Sequence, residues 1–149
     1  MSVEHPIVTV TGSSGAGTSF VKRAVEKIFD RENLNVAIIE GDSYHKYCRT
    51  EMKQKVAESK DGCGTVLTHF AEAANEFAEL EALFKEYKEN ATGKRRYYIH
   101  SEEEAVEHNA RLGTDLAPGE FTPWEPIPEG TDILFYEGLH GMVKRMDHG

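Results

Sequence analysis

The sequence predicts an α/β fold of three layers, in which helices cover both faces of a mainly parallel sheet. Three observations predict it. A β-branched run at Ile7–Thr11 ends in a glycine-rich turn and is followed by a helical pattern over 19–31. A second apolar run, Val36–Glu40, comes next, and a third lies at 133–136. A strand, a helix and a second strand in this order favour parallel pairing with a right-handed crossover.

The first predicted helix directly follows the glycine-rich turn. Its apolar residues recur one or four positions apart, at Phe20, Val21, Ala24, Val25, Ile28 and Phe29. That spacing places them on one face of a helix. We therefore expect the helix over 19–31 to pack this face against the sheet.

The rest of the chain predicts two more helices and an irregular region. Residues 49–59 show a weak helical pattern, and 71–87 show a stronger one with apolar residues at Phe77, Leu80, Leu83, Phe84 and Tyr87. Within residues 93–100, a basic run at 94–96 is followed at 97–99 by residues that favour β-strands. Residues 113–131 hold all the prolines after Pro6, which predicts an irregular loop.

Length and composition narrow the class of protein. A chain of 149 residues, 39% hydrophobic, suits one domain with one core. A formal charge of -9 argues against a nucleic-acid-binding protein, which would need Lys and Arg to neutralise phosphates. The sequence contains neither a membrane-length apolar run nor the pattern of a leader peptide, so we expect a cytoplasmic protein. Cys48 and Cys63 lack the spacing of a zinc site and are expected to be reduced thiols.

The glycine-rich turn is close to a phosphate-binding motif. It fits G-x-x-x-x-G-[KT]-S with Thr at the usual lysine position, over Gly12, Ser13, Ser14, Gly15, Ala16, Gly17, Thr18 and Ser19. Such glycines let successive N–H groups face one anion, and the following helix directs the positive end of its dipole there. An ordinary glycine-rich turn is the alternative. Its place between a strand and a helix favours a phosphate loop, and hence a three-layer P-loop fold.

Asp42 follows the second predicted strand within Glu40-Gly41-Asp42. Because the carboxyl ends of parallel strands meet at one edge of a sheet, we expect Asp42 to face the phosphate loop. A carboxylate there could accept a proton from a substrate hydroxyl during phosphoryl transfer. The alternative is that Asp42 caps the following helix.

Cationic and aromatic side chains downstream could bind a phosphorylated substrate. His45, Arg49 and Lys53 recur every four residues, so a helix would place them on one face. Tyr98 and His100 alternate, so a strand would point both the same way. A solvated basic face and a half-buried edge are the respective alternatives.

A third acidic candidate ends the last predicted strand. Glu137 follows Phe135-Tyr136, where a carboxylate beside a phosphate loop would help to hold magnesium. Ser19, at the hydroxyl position of the motif, is the other candidate Mg²⁺ ligand. Glu137 could instead simply face solvent.

Six sequence blocks together resemble the bacterial phosphoribulokinases, in the phosphoribulokinase/uridine kinase family of P-loop kinases. They occur in the family's order as GSSGAGTS at 12–19, EGDSYHKYCRTEMK at 40–53, THF at 68–70, ANE at 74–76, YYIH at 97–100 and FYEGLHG at 135–141. The resemblance spans almost the whole chain. It includes the threonine that this family uses in place of the phosphate-loop lysine.

The resemblance implies transfer of the ATP γ-phosphoryl group to ribulose 5-phosphate, which gives ribulose 1,5-bisphosphate for carbon fixation in the Calvin cycle. It implies that Asp42 is the base and that Ser19 and Glu137 hold Mg²⁺ with ATP. It also implies contacts with the sugar phosphate from His45, Arg49, Lys53, Tyr98 and His100.

Family members have roughly twice this length, so we expect residues 1–149 to be a kinase domain truncated at its C-terminus. The missing half would supply cations that a phosphate-loop threonine cannot, and the chain alone is expected to be weakly active or inactive. The resemblance also implies homo-oligomers with NADH or AMP-type effectors. The alternatives are a related kinase with another small substrate, such as a nucleoside, and a non-catalytic ATP-binding or sensing module.

Overall fold

A computed structural model describes residues 4–13, 16–61 and 67–141, with Ser19 and Asp61 described by backbone alone. The strands are β1 (Ile7–Thr11), β2 (Val36–Glu40), β3 (Lys94–Arg95), β4 (Glu125–Pro126) and β5 (Ile133–Gly138). The helices are α1 (Thr18–Arg31), α2 (Arg49–Asp61), α3 (Phe77–Asn90) and α4 (Glu102–Leu112). Two short 3-10 turns span Gly41–Tyr44 and Glu72–Ala74.

The main sheet has three parallel strands in the order β1-β5-β2. The last described strand along the chain is therefore the central one, and its Leu134, Phe135 and Tyr136 are almost fully buried. The register pairs Thr11 with Gly138, and Glu40 with Glu137. The ends of all three strands, and the turns that follow them, consequently lie side by side.

Helices cover both faces of this sheet. Adjacent residues of a strand point to opposite faces, and β5 illustrates this with Phe135 and Tyr136. The Phe135 ring contacts Phe29 of α1, with ring centroids 5.9 Å apart, whereas Tyr136 contacts Phe84 of α3 at 5.8 Å. The buried positions of α3 recur at helical spacing as Leu80, Leu83 and Tyr87. The predicted three-layer α/β architecture is confirmed.

Helix α1 covers the sheet with only part of its apolar face. Val25 and Phe29 are half-buried, while Phe20 is 72% exposed and Ile28 is 51% exposed. Lys22, on the other side of the helix, pairs with Glu40 of β2. The exposed apolar side of α1 therefore lies away from the contact between Lys22 and β2 and is open to solvent.

The sequence interpretation was wrong about where the second strong helix begins. Residues 71–76 were predicted to be helical, but α3 begins at Phe77. The Asn75 side chain instead donates to the carbonyl oxygens of His69 and Ala71, at 2.8 and 2.7 Å. Such contacts compete with helical hydrogen bonds, so the segment forms a 3-10 turn followed by extended chain.

Helix α4 was missed altogether. Ser101 caps it by accepting a hydrogen bond from the Glu104 backbone N–H, three acidic residues occupy its first turn, and Gly113 ends it with φ 68°. Residues 97–100 are extended, as expected. Their backbone pairs with 119–122 through only one isolated bridge, Tyr98 with Phe121, so a regular strand covers just Lys94–Arg95.

The predicted irregular loop over 113–131 is interrupted by the short strand β4, which pairs with β3. Cys48 is a free thiol, and Cys63 lies outside the described residues. Among the helices in the described ranges, none combines the length and hydrophobicity that crossing a membrane requires.

Candidate active site

A cavity of about 1180 Å³ opens at the carboxyl ends of the three parallel strands. This edge of an open α/β sheet is where ligands usually bind. The volume is above the range for pockets that hold one small molecule, about 300–1,000 Å³. The cavity can therefore accommodate two small ligands side by side.

The glycine-rich turn forms one wall of this cavity. Gly12, Ser13 and Thr18 line it, while Ala16 and Gly17 complete the turn behind them. Gly17 is the N-cap of α1 and adopts φ 82°, a conformation that favours glycine. No acidic residue lies in the first turn of α1, and Gly17 has no side chain with which to cap it. The helix therefore presents unneutralised N–H groups, which suit an anion.

Part of the predicted phosphate loop cannot be placed. Ser14 and Gly15 lie outside the described residues, and so does the Ser19 side chain. The backbone of Ser19 belongs to the first turn of α1. The phosphate-binding and Mg²⁺-binding roles of these three residues stay predictions.

Asp42 lies in the 3-10 turn after β2 and faces the cavity. Its Oδ2 atom is 3.0 Å from His100 Nε2, and its Oδ1 atom is 3.5 Å from His45 Nε2. Hydrogen bonds from His100 and then from His45 hold the pKa of Asp42 well below its usual range. Asp42 is therefore an ionised carboxylate at neutral pH.

His100 lies between two carboxylates. Its Nδ1 atom is 3.2 Å from Glu104 Oε2, on the opposite side of the ring from Asp42. The hydrogen bond with Asp42 is the main cause that raises the pKa of His100 to about 9, with Glu104 adding to it against partial burial. His100 is consequently an imidazolium at neutral pH.

His45 reaches the cavity by a different route from the one expected. It was predicted to share a helix face with Arg49 and Lys53, but α2 begins at Arg49, so that arrangement was wrong for His45. His45 is extended and forms an antiparallel bridge with Asn75. His45, Arg49 and Lys53 nevertheless line the same cavity.

The orientation of the His45 ring is fixed by Asn75. Asn75 Nδ2 donates to two carbonyl oxygens, so its Oδ1 atom must accept the hydrogen bond, 2.8 Å long, from His45 Nδ1. The Nε2 atom of His45 then faces Asp42. On its other side the His45 ring packs on His69, with ring centroids 4.7 Å apart.

Tyr98 and His100 point into the cavity together, although they lie in extended chain outside any regular strand. Their ring centroids are 4.9 Å apart. Arg49 Nε donates to the Tyr98 hydroxyl oxygen at 3.3 Å. These contacts connect α2 to the 97–100 segment across the cavity.

Glu137, near the end of β5, lines the cavity beside the glycine-rich turn. Among the described residues there is no group of three or more His, Cys, Asp or Glu side chains placed to share a metal ion. Mg²⁺ in kinase sites commonly takes one or two protein oxygens and completes its shell with phosphates and water. A single carboxylate beside a phosphate site fits that ion.

Comparison with known proteins identifies the family. The family model described as phosphoribulokinase/uridine kinase matches residues 7–146. The chain belongs to this family. It is 49% identical over 140 residues to a phosphoribulokinase of Nitrobacter vulgaris and 52% identical over 143 residues to the chromosomal phosphoribulokinase of Cupriavidus necator. These alignments cover 94% and 96% of the chain, but only 46% and 47% of the relatives.

A solved structure described as phosphoribulokinase from Rhodobacter spheroides superposes with a TM-score of 0.80 at 40% identity. The match covers 97% of this chain and 46% of that one. The α/β P-loop fold of the phosphoribulokinase/uridine kinase family is thus shown, and the chain spans about half the length of the relatives that it matches.

The structure also brings side chains into this family member's site that the sequence interpretation missed. Lys22 lines the cavity one helical turn after Thr18, and its Nζ atom is 2.8 Å from Glu40 Oε1. Partial burial opposes its charge, but the Glu40 carboxylate more than offsets this and raises the pKa of Lys22. Because Lys22 lies in the predicted helix and follows Thr18 by four residues, the sequence already indicated that both side chains lie on the same side of that helix. His69 and Glu104 line the cavity as well, without such a signal.

His140, which the sequence left ambiguous, has a structural environment. Its Nε2 atom donates to the His69 carbonyl oxygen at 3.2 Å, and its ring packs against Phe77 at 4.8 Å between centroids. Burial lowers the pKa of His140. It is therefore a neutral ring, and its contacts with His69 and Phe77 connect the segment after β5 to the loop before α3 and to the start of α3.

Proposed function

We propose that the chain is the N-terminal part of an ATP-dependent kinase that phosphorylates ribulose 5-phosphate to ribulose 1,5-bisphosphate in Calvin-cycle carbon fixation. The observation that carries this proposal is the position of Asp42, an ionised carboxylate in the same cavity as a glycine-rich turn at a helix N-terminus. The relatives that bear the name phosphoribulokinase support the choice of substrate.

ATP would bind with its phosphates against the turn. Gly12, Ser13 and Thr18 line that wall, and Ala16 and Gly17 position the start of α1. Mg²⁺ would be held by Ser19 and Glu137 and would neutralise charge on the transferred phosphoryl group. Ser14 and Gly15 complete the proposed loop.

Asp42 is the proposed base. It accepts the proton of the C1 hydroxyl, whose oxygen bonds to the γ-phosphorus while the bond from that phosphorus to the bridging oxygen of ADP breaks. A carboxylate paired with an imidazolium is ionised but weakly basic. A substrate hydroxyl must therefore replace at least one histidine contact of Asp42 before the proton is transferred.

The sugar phosphate would lie opposite the turn. His45, Arg49 and Lys53 offer cationic or hydrogen-bonding groups to its phosphate, and Tyr98 and His100 offer further donors. Arg49 Nε donates to the Tyr98 hydroxyl oxygen, so these two groups already lie together in this part of the wall.

We further propose that residues 1–149 are one kinase domain whose intact form continues beyond this chain. The relatives are about twice as long, and their remaining half would supply the additional cations that stabilise the transition state. The chain alone should then bind nucleotide but turn it over slowly. Homo-oligomer formation and NADH or AMP-type effectors belong to the same proposal and rest on resemblance, as does the cytoplasm as its location.

The test is ADP release by the chain with Mg-ATP, with and without ribulose 5-phosphate, alongside ATP binding by calorimetry. In a protein of the relatives' full length, Asp42→Asn should retain ATP affinity and lose about 10²–10⁴-fold in turnover, the usual contribution of a positioned base. Asp30→Asn, at an exposed position of α1, is the matched control and should behave as the wild-type chain.

Other outcomes would identify other functions. Turnover with uridine and none with ribulose 5-phosphate would replace the substrate within the same family. ATP binding with no turnover on either substrate, in a protein that also carries the segment by which the relatives exceed this chain, would indicate a nucleotide-sensing module and would contradict a catalytic role for Asp42.

A further inference from the structure

Arg96 leaves strand β3 and turns into the protein. Its guanidinium carbon lies 3.8 Å from the ring centroid of Phe121 and 4.5 Å from that of Trp124. Aromatic faces attract a guanidinium and shield it from water. The basic run at 94–96 does not, at this position, present its charge to solvent.

The donors of Arg96 are directed at the turn that carries Asp42. Nε donates to the Ser43 carbonyl oxygen and Nη2 donates to the His45 carbonyl oxygen, each at 2.8 Å. Ser43 is fully buried and His45 is 8% exposed. Two backbone acceptors that solvent cannot easily reach are therefore satisfied by one side chain.

Two other carbonyl groups of the turn have backbone partners. The Asp42 oxygen accepts from His45 N–H at 3.3 Å, and the Tyr44 oxygen accepts from Glu76 N–H at 2.7 Å. Arg96 contributes a side chain rather than backbone to this set, and it comes from 53 residues along the chain from Ser43. It fixes the turn on both sides of Tyr44.

The planar fork of arginine suits this arrangement. Two N–H groups in one rigid plane set the distance and direction between two carbonyl groups at once. A lysine could stay between the aromatic rings and keep its charge, but its single ammonium group could not reproduce the geometry. Arg96→Lys therefore keeps the positive charge and removes only the pair of N–H groups that hold the two carbonyl groups.

We propose that Arg96 is a positioning residue for the phosphoryl transfer proposed above: by holding the Ser43 and His45 carbonyl groups, it keeps the Asp42 carboxylate facing the cavity and within hydrogen-bonding distance of His100. The inference rests on the proposed function for its catalytic consequence. Its structural part stands on the contacts alone. Arg96 does not itself line the cavity, so it acts through the turn.

The experiment compares Arg96→Lys with Arg111→Lys in the full chain. Arg111 is the matched control, because it also lies over an aromatic ring, that of Tyr97, but is exposed and pairs with Glu125. The titration of the His100 ring is followed by NMR. In Arg96→Lys the midpoint should fall from about 9 towards 6.5, since Asp42 no longer stays in place, and in Arg111→Lys it should not move.

Kinetics supplies the second measurement. Arg96→Lys should lower kcat by up to about 100-fold, the loss expected when a catalytic group is displaced by about 1 Å. The KM for ATP should stay unchanged, because the glycine-rich turn is untouched. An unaltered His100 titration together with an unaltered kcat in a folded Arg96→Lys chain would overturn the proposal.

Two further outcomes are distinguishable. If a wild-type protein of the relatives' full length phosphorylates no sugar but the His100 midpoint falls in Arg96→Lys, the proposed function fails while the positioning of Asp42 by Arg96 is supported. If Arg96→Lys does not fold, hydrogen exchange of the Arg96 Nε proton in the wild-type chain decides. Protection relative to the exposed Arg31 supports the proposal, and exchange as fast as that of Arg31 overturns it.

Discussion

The Asp42 carboxylate and the His100 imidazole lie 3.0 Å apart although 58 residues separate them in the sequence. Each group stabilises the charged form of the other. This pairing joins the turn after β2 to the segment before α4, and it brings a proposed base to the cavity in a defined ionisation state. We therefore expect the pair to affect both the free energy of unfolding and the proposed phosphoryl transfer.

The pairing predicts a specific dependence of stability on pH. The raised pKa of His100 stabilises the fold fully below about 6.5, its value when unfolded, and this contribution disappears as pH rises through about 9. The lowered pKa of Asp42 stabilises the fold above its ordinary value of 3.8, and this contribution is lost as pH falls below it. Both contributions to stability are complete only between pH 3.8 and pH 6.5.

The measurement is chemical denaturation of wild-type chain and His100→Gln between pH 4 and 9. The difference in free energy of unfolding should be largest at pH 4 to 6.5 and should decline towards pH 9. A difference that is independent of pH would contradict the pairing. Because both side chains are about half exposed, high salt should reduce the difference.

Lys22 should contribute to nucleotide binding. It lines the cavity close to the start of α1. Thr18 occupies the usual lysine position of the motif but carries no charge, so Lys22→Met would remove a cation that Thr18 cannot replace. We expect the dissociation constant for Mg-ATP to rise by about tenfold or more, since a hydrogen bond to a charged group contributes about 1.5–3 kcal/mol. Calorimetry measures this directly.

Lys27→Met is the control for Lys22, because Lys27 is an exposed lysine of the same helix. It should leave the affinity for Mg-ATP as it is. Equal affinities in Lys22→Met and the wild-type chain would mean that Lys22 serves only its ion pair with Glu40.

Asn75 should matter for stability more than its polarity suggests. It is 8% exposed, and Asn75→Ala removes a partner from His45 Nδ1 and from two carbonyl groups. Each buried group left without a partner costs about 1–3 kcal/mol. We therefore expect the free energy of unfolding to fall by at least that amount in urea titrations, whereas Asn90→Ala at the exposed end of α3 should change it little.

Gly41 should tolerate no side chain. A Cβ atom there would lie 2.7 Å from the Gly138 Cα atom and 2.5 Å from the Tyr136 hydroxyl. Gly41→Ala must push the turn away from β5, at a cost of about 1–3 kcal/mol for overpacking. Because Asp42 is the next residue, turnover should fall together with stability. A Gly41→Ala chain with wild-type stability would contradict this close packing.

Local patterns in the sequence were sufficient to predict the elements that build the cavity. The three strands of the main sheet are short β-branched or apolar runs, and each was found at its position. The glycine-rich turn between β1 and α1 was found from its spacing and from its place between a strand and a helix, and its binding of phosphate stays a prediction. Because parallel strands end at one edge, the meeting of Asp42 and Glu137 near that turn also followed from the sequence.

Features that depend on distant contacts could not be predicted in this way. His45 leaves the expected helix face because Asn75, 30 residues later, holds it in extended chain. The inward turn of Arg96 depends on aromatic rings at Phe121 and Trp124, which no local pattern connects to it. Helix α4 is different, since its cap, Ser101 followed by Glu104, was a readable signal that was overlooked.

The central position of β5 has a consequence for biosynthesis. β1 and β2 are made first, yet each hydrogen-bonds to β5, and the Thr11 hydroxyl donates to the Leu139 carbonyl oxygen across 128 residues. Such non-local pairing is slow, because the entropy of closing the long connection is lost before the sheet forms. On the ribosome, β1 and β2 therefore lack their β5 partner and stay open to aggregation until β5 has emerged, so a chaperone that shields them is expected to increase the yield of folded protein.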